Sequence, residues 1–189
     1  MNTIKLYLPF FALVLLFFGS CTQNELPKQV LVNQTPNSQG QASIADNESA
    51  SNALQVAKSL DDFKTLVIAI ETAGVEDAVV NAGPLTIFAP INAAFDKLPA
   101  GTVESLLKPE NKGKLAYILT NHVAPSNYPE KQLRKDAKKG RKLYMASGKY
   151  LTVDEKKDGL YVGGTKILKT VQVSNGWIHV IDTILVPTD

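Results

Sequence analysis

Cysteine is almost absent. Cys21 stands alone in 189 residues, so no disulfide closes within the chain. Histidine is nearly as scarce, with only His122 and His179. Two imidazoles and one distant thiol offer no spacing from which a zinc or other transition-metal site is assembled. A nucleophile is missing too. His122 with Asp182 as its orienter would resemble the base of a hydrolase, but no Gly-x-Ser-x-Gly elbow accompanies them. The expectation is a protein that is not an enzyme and holds neither metal nor cofactor. An excess of one charge is also lacking: 20 Lys and Arg against 18 Asp and Glu leave +2, too little to mark a nucleic-acid partner.

No hydrophobic run reaches membrane-spanning length. The longest, LYLPFFALVLLFF from Leu6 to Phe18, has 13 residues and carries Pro9 near its start, whereas a spanning helix needs about 20. Following Lys5 and preceding the small residues Gly19 and Ser20, it reads as the core of a secretory signal. Cys21 comes next, and the junction resembles the lipobox of bacterial lipoproteins, with Phe18 where leucine is usual. That resemblance implies cleavage before Cys21 and acylation there. The expected location is extracytoplasmic: an outer-membrane lipoprotein facing the cell surface or the periplasm, with the bilayer as one partner through acylated Cys21.

Thr22 to Asn52 is rich in Asn, Gln, Ser and Pro and has no sustained apolar period, which marks a tether. About 31 flexible residues span roughly 30 Å. Three segments follow from this reading: a signal over 1–20, a lipidated cysteine and tether over 21–52, and a folded head over 53–189.

The head opens on helical periodicity through Leu54, Ala57, Phe63, Leu66, Ile70 and Ala73, with Gly74 as punctuation. Leu85 to Phe88 reads as a strand stopped by Ala89-Pro90; Asn92 and Thr102 are placed to cap short helices. A helix over Glu110 to Thr120 follows. After Pro125 the pattern changes to strands over Lys142–Ala146, Tyr150–Asp154, Leu160–Val162, Ile167–Val173 and Trp177–Val186, joined at glycine-bearing turns. Helices first and strands later predict an α+β fold. GLYVGGTK, from Gly159 to Lys166, nearly spells a phosphate loop, but it lies between strands and opens no helix, so a hairpin turn at Gly163-Gly164 is expected.

One exposed stretch is strongly basic. EKQLRKDAKKGRK, from Glu130 to Lys142, carries Lys131, Arg134, Lys135, Lys138, Lys139, Arg141 and Lys142 against Glu130 and Asp136. It reads as a solvated connector, and in its sharper reading as a patch for an anionic glycan, a lipid headgroup or an acidic protein. No aromatic residue interrupts it, which disfavours single-stranded nucleic acid.

Three stretches together resemble the fasciclin domain: LTIFAPINAAFDKLP (Leu85 to Pro99), ILTNHV (Ile118 to Val123) and NGWIHVIDTILVP (Asn175 to Pro187). The matching positions are Phe88, Pro90, Asn92, Phe95, His122, Asn175, Gly176, His179, Asp182 and Pro187. The resemblance implies a single domain in which N-terminal helices pack on a mostly antiparallel β-sheet or wedge-shaped sandwich. It implies a non-enzymatic module for adhesion or interaction with an unknown cell-surface or envelope protein or glycan partner. The alternatives are an anionic-glycan binder that uses the basic stretch over 130–142 and a periplasmic envelope assembly partner. Ile91 stands where the family has a polar residue at the helix start, so Asn92 is expected to take over capping there. Asn121 replaces a tyrosine that some animal members pair with the histidine for integrin binding, and that function is not carried over.

Asp182 poses a separate problem. It falls within a run apolar on both faces, where an ionised carboxylate needs a partner. His122, Thr86 or backbone N–H groups are the expected partners, with Asp182→Ala expected to cost about 1–3 kcal/mol.

Overall fold

The computed structural model of the chain describes residues 51–187. The expected signal segment, Cys21 and the expected tether as far as residue 50 lie outside the described residues. Among those described, no helix is long and apolar enough to cross a membrane.

The head begins at a capping box. Asn52 Oδ1 accepts from the Gln55 amide at 3.0 Å and Gln55 Oε1 accepts from the Asn52 amide at 2.9 Å, starting α1 (Ala53–Lys58). Then come α2 (Lys64–Ala73), α3 (Glu76–Val80), β1 (Leu85–Pro90), α4 (Asn92–Asp96), α5 (Thr102–Leu106) and α6 (Lys112–Thr120). Gly74 ends α2 in the left-handed conformation, φ 66°, that lets a helix stop without a side-chain clash. The second half holds β2 (Val123–Ala124), α7 (Glu130–Lys138), β3 (Lys142–Tyr144), β4 (Tyr150–Lys156), β5 (Gly159–Val162), β6 (Thr165–Val173) and β7 (Gly176–Ile181).

The seven strands make one sheet in the order β2-β1-β7-β6-β5-β4-β3. All neighbours are antiparallel except β1 and β7, which run parallel from Leu85↔Gly176 to Pro90↔Ile181. The α+β class and the mostly antiparallel sheet predicted from the sequence are what the chain forms. Every residue of β1 is buried, because its alternating side chains serve two cores. Ile87 and Ala89 join Ile178 of β7 and the apolar faces of α1, α2, α3 and α6 in the first core. Phe88 points the other way, into a second core with Ile181, Leu143, Val153, Val162 and Leu133 of α7.

Four local expectations change. Residues 130–138 are not a connector but a helix, anchored by Leu133 at 0% exposure. The run from Trp177 to Val186 is not one strand, since β7 stops at Ile181 and the tail beyond it leaves the sheet. Thr102 is the first residue of α5 rather than its cap, a position held by Gly101 at φ 80°. Asn92 does not cap α4. Its Oδ1 instead accepts from the Thr65 amide at 3.1 Å and its amide donates to the Asp61 carbonyl at 2.8 Å, so it satisfies the start of α2 across the fold. The free amides there belong to a helix whose own flanking residue, Phe63, offers no side-chain acceptor.

Candidate functional site

The three stretches singled out in the sequence are neighbours in space, for they supply β2, β1 and β7 at one end of the sheet. Phe88 is the register partner of His179 across the parallel pair and stacks on it, with ring centroids 5.3 Å apart. His179 is fully buried; its Nε2 meets the Tyr128 carbonyl at 2.8 Å and its Nδ1 meets Thr170 Oγ1 at 2.9 Å. A carbonyl only accepts, so the proton sits on Nε2, and the Thr170 hydroxyl donates to Nδ1. His122 has the opposite tautomer: Nδ1 donates to the Ile118 carbonyl at 2.9 Å, and Nε2 accepts from the Leu185 amide at 2.9 Å. Burial pushes the His122 pKa down to about 4, against a smaller upward pull from the Ile118 carbonyl. Burial also lowers that of His179, opposed by the Tyr128 carbonyl and Glu130. Each ring therefore has both nitrogens occupied and is held neutral near pH 7. Neither is free to take a substrate proton.

Asn121 continues the same device. Its Nδ2 donates to the Leu185 carbonyl at 2.9 Å, and its Oδ1 accepts from Ser147 Oγ at 2.7 Å. Asn121 and His122 thus grip the main chain of Leu185 from both its carbonyl and its amide, and this clamp fastens the tail after β7 to the end of α6. Asn121, which stands where some animal members have a tyrosine, is completely buried and is part of the frame.

Asn175 and Gly176 bind the helices to the sheet. Asn175 Oδ1 accepts from the Ala53 amide at 3.1 Å and its Nδ2 donates to the Val79 carbonyl at 2.9 Å, joining α1, α3 and the β6–β7 turn. Gly176 adopts φ 141°, and a Cβ there would lie 1.8 Å from the Leu85 carbonyl oxygen. Only glycine permits β1 and β7 to approach so closely at their start. Pro90 is fully buried at the end of β1, Phe95 of α4 is half-buried against the first core, and Pro187 closes the described tail.

The expectation for Asp182 is corrected. It lies one residue past β7, half-exposed, and pairs with Lys97 at 3.1 Å. Both side chains keep more than a third of their surface, 37% for Asp182 and 51% for Lys97. The two proposed partners are engaged elsewhere. His122 holds Leu185, while Thr86 Oγ1 donates to the Ser126 carbonyl at 2.8 Å and accepts from the Tyr128 amide at 2.9 Å.

The basic stretch divides once it is folded. Arg134 bridges Glu130 (Nη2, 2.6 Å) and Glu155 (Nη1, 2.5 Å), Lys138 lies 3.8 Å from Glu155, and Arg141 lies 3.7 Å from the buried Asp136. Asp136 also accepts from Gln132 Nε2 on both oxygens, at 3.0 Å each. Arg134 and Lys138 tie α7 to Glu155 of β4, and Arg141, the residue before β3, ties back to α7. Lys131, Lys135, Lys139 and Lys142 are exposed and have no carboxylate partner among the described residues. Lys131, Lys135 and Lys138 recur at i, i+4 and i+7, which places them on one helix face. Lys142 points with Tyr144 to the outer face of the β3–β4 hairpin, where Tyr144 and Tyr150 are register partners with ring centroids 5.3 Å apart. The two tyrosines, 47% and 63% exposed, were not singled out in the sequence. Period-2 alternation opposite buried Leu143 and Val153 is the signal that would have found them. Among the described residues, no group of three or more His, Cys, Asp or Glu is placed to hold a metal.

Comparison with known proteins places this geometry. The fasciclin-domain family model matches residues 61–187. Protein sll1483 of Synechocystis is 42% identical over 146 residues, covering 77% of this chain and 78% of that protein. The cell surface glycolipoprotein MPB83 of Mycobacterium bovis is 36% identical over 109 residues, which is 57% of this chain and 46% of that one. Transforming growth factor-beta-induced protein ig-h3 of Sus scrofa is 33% identical, but the match spans only 19% of its length. Among solved structures, the domain pair from the insect cell adhesion molecule fasciclin I superposes with a TM-score of 0.65 at 20% identity, over 72% of this chain and 51% of that one, a likeness of fold.

Proposed function

The chain belongs to the fasciclin family, and from that membership we propose that it is a non-enzymatic interaction module held outside the cytoplasm by a lipid on Cys21. The observation that carries the reading is the use to which the family-matching side chains are put. Phe88, His122, Asn175 and His179 are spent inside the frame, on stacking and on hydrogen bonds to main chain or Thr170. Held in this way, those side chains offer no free acid, base or nucleophile, which supports a reading in which the outer surfaces contact a partner. Relatives support the same direction: one is named a cell surface glycolipoprotein, and the fold is shared with a cell adhesion molecule. Adhesion of whole cells tests it. Cells carrying the full chain should bind a surface or neighbouring cell that a deletion strain does not, and Cys21→Ala should remove the difference. Equal adhesion by all three strains would contradict the proposal.

A second reading rests on the unpaired lysines of α7 and of the turn and strand that follow it. Lysines at positions 131, 135, 139 and 142, without carboxylates to neutralise them, suit an anionic glycan such as a sulfated or uronate polymer. Charge reversal at Lys131, Lys135 and Lys139 should then abolish salt-sensitive retention on immobilised heparin. Retention unchanged by the triple variant would remove this reading and leave a protein partner. Arg134 and Arg141 are poor choices for that experiment, because their loss would loosen α7.

A further inference from the structure

Packing does not close the space between α4, α5, α6 and the C-terminal tail. An apolar cleft of about 180 Å³ remains there, walled by Phe95, Val103, Leu106, Leu115, Ile118 and Ile184. The covering helix α5 has no buried residue; Val103 and Leu106 keep part of their surface open. Cores of this size are ordinarily filled, and apolar space that stays dry is space an apolar ligand can enter. Lys114 is the one lysine at the cleft, and it has no carboxylate partner among the described residues. His122, the other ionisable residue in the lining, has both ring nitrogens engaged.

The cleft does not end at Lys114. Thr102, Leu106 and Lys114 also line an adjoining polar hollow of about 250 Å³, which continues over Gly101, Ser105 and Asn111. An apolar slot and a polar hollow meeting at an unpaired ammonium fit a molecule with one apolar chain and one anionic head. We propose that this cleft binds a single-chain anionic amphiphile, the chemistry shared by a free fatty acid and a lysophospholipid. The chain lies between Phe95, Leu106 and Ile184, and the head lies against Lys114 with the Thr102 and Ser105 hydroxyls beside it. A larger apolar cleft, about 220 Å³ between α1, α2 and the sheet, is a poorer candidate, because Asp62 lines it together with Lys169 and would repel an anionic head. The proposal is independent of the adhesive reading.

Calorimetric titration of the full chain tests it, with octanoate in one arm and octanoyl lysophosphatidate in the other. One saturable site is expected for at least one of the two, and the tighter ligand identifies the source. Lys114→Glu should weaken binding tenfold or more. Val103→Trp, which fills the slot, should abolish it, and octyltrimethylammonium should fail to compete. The thermal midpoint of each variant without ligand establishes that it is folded, and Lys114→Gln provides a milder change at an exposed position. Absence of saturation by both ligands, or equal affinity in the wild type, Lys114→Glu and Val103→Trp, would overturn the proposal.

Discussion

A carboxylate in an apolar run need not be buried, and Asp182 shows why: the strand ends one residue before it, and its charge is shared with Lys97 in water. Half-exposed pairs of this kind contribute about 0–1 kcal/mol. Asp182→Ala should therefore lower stability by less than about 1 kcal/mol in urea unfolding; a larger loss would show that the carboxylate has a buried partner after all. Gly176 is the opposite case, since any Cβ would meet the Leu85 carbonyl. Gly176→Ala should cost about 3 kcal/mol or more, because the parallel start of β1 and β7 must separate or strain. A urea midpoint within error of wild type would contradict the register. His122 makes stability depend on pH. With a folded pKa of about 4 against 6.5 for the free side chain, the unfolded chain takes a proton that the native chain refuses. The contribution is fully present above about pH 6.5, declines as pH falls towards 4, and amounts to something on the order of 3 kcal/mol. Urea midpoints at pH 7.5 and 4.5 should show that decline and His122→Asn should reduce it; an equal decline in the variant would place the titrating group elsewhere.

The helix α7 marks the limit of what periodicity reveals. Its nine residues EKQLRKDAK expose charge nearly all round, and only Leu133 and Asp136 are buried. One apolar anchor makes no stripe, so the segment reads as a solvated connector until Leu133 is seen inside the second core with Leu143 and Val153. Leu133→Ala should cost about 2–5 kcal/mol, the range for emptying a packed core position. A loss under about 1 kcal/mol, as a surface helix would give, would contradict that packing. The hairpins from β3 to β7 were legible because turn residues and alternation are local signals. The pairing of β1 with β7 is not local: its partners lie about 90 residues apart in sequence and meet only in the fold. β2, with two residues, carries no period at all. The clamp at Leu185 was hidden for the same reason, because Asn121 and His122 act on main-chain atoms more than 60 residues away.

Across the whole molecule, the sequence leads us to expect an anchor and a tether ahead of a folded domain, and within that domain the family-matching Phe88, His122, Asn175 and His179 are spent on its own construction. The features open to the proposed functions are the unpaired lysines at α7, the exposed Tyr144–Tyr150 pair and the open cleft under α5. These features serve a partner only if the head stands where a partner can reach it. The direct measurement is protease digestion of intact cells producing the full chain, followed by immunoblotting for the head, with Cys21→Ala as the unanchored control. Cell-associated head is expected in the wild type, digested either on intact cells or after rupture of the outer membrane, and Cys21→Ala should release the head from the cells. Head that resists protease even after outer-membrane rupture, or that fractionates with the cytoplasm, would contradict an extracytoplasmic interaction module.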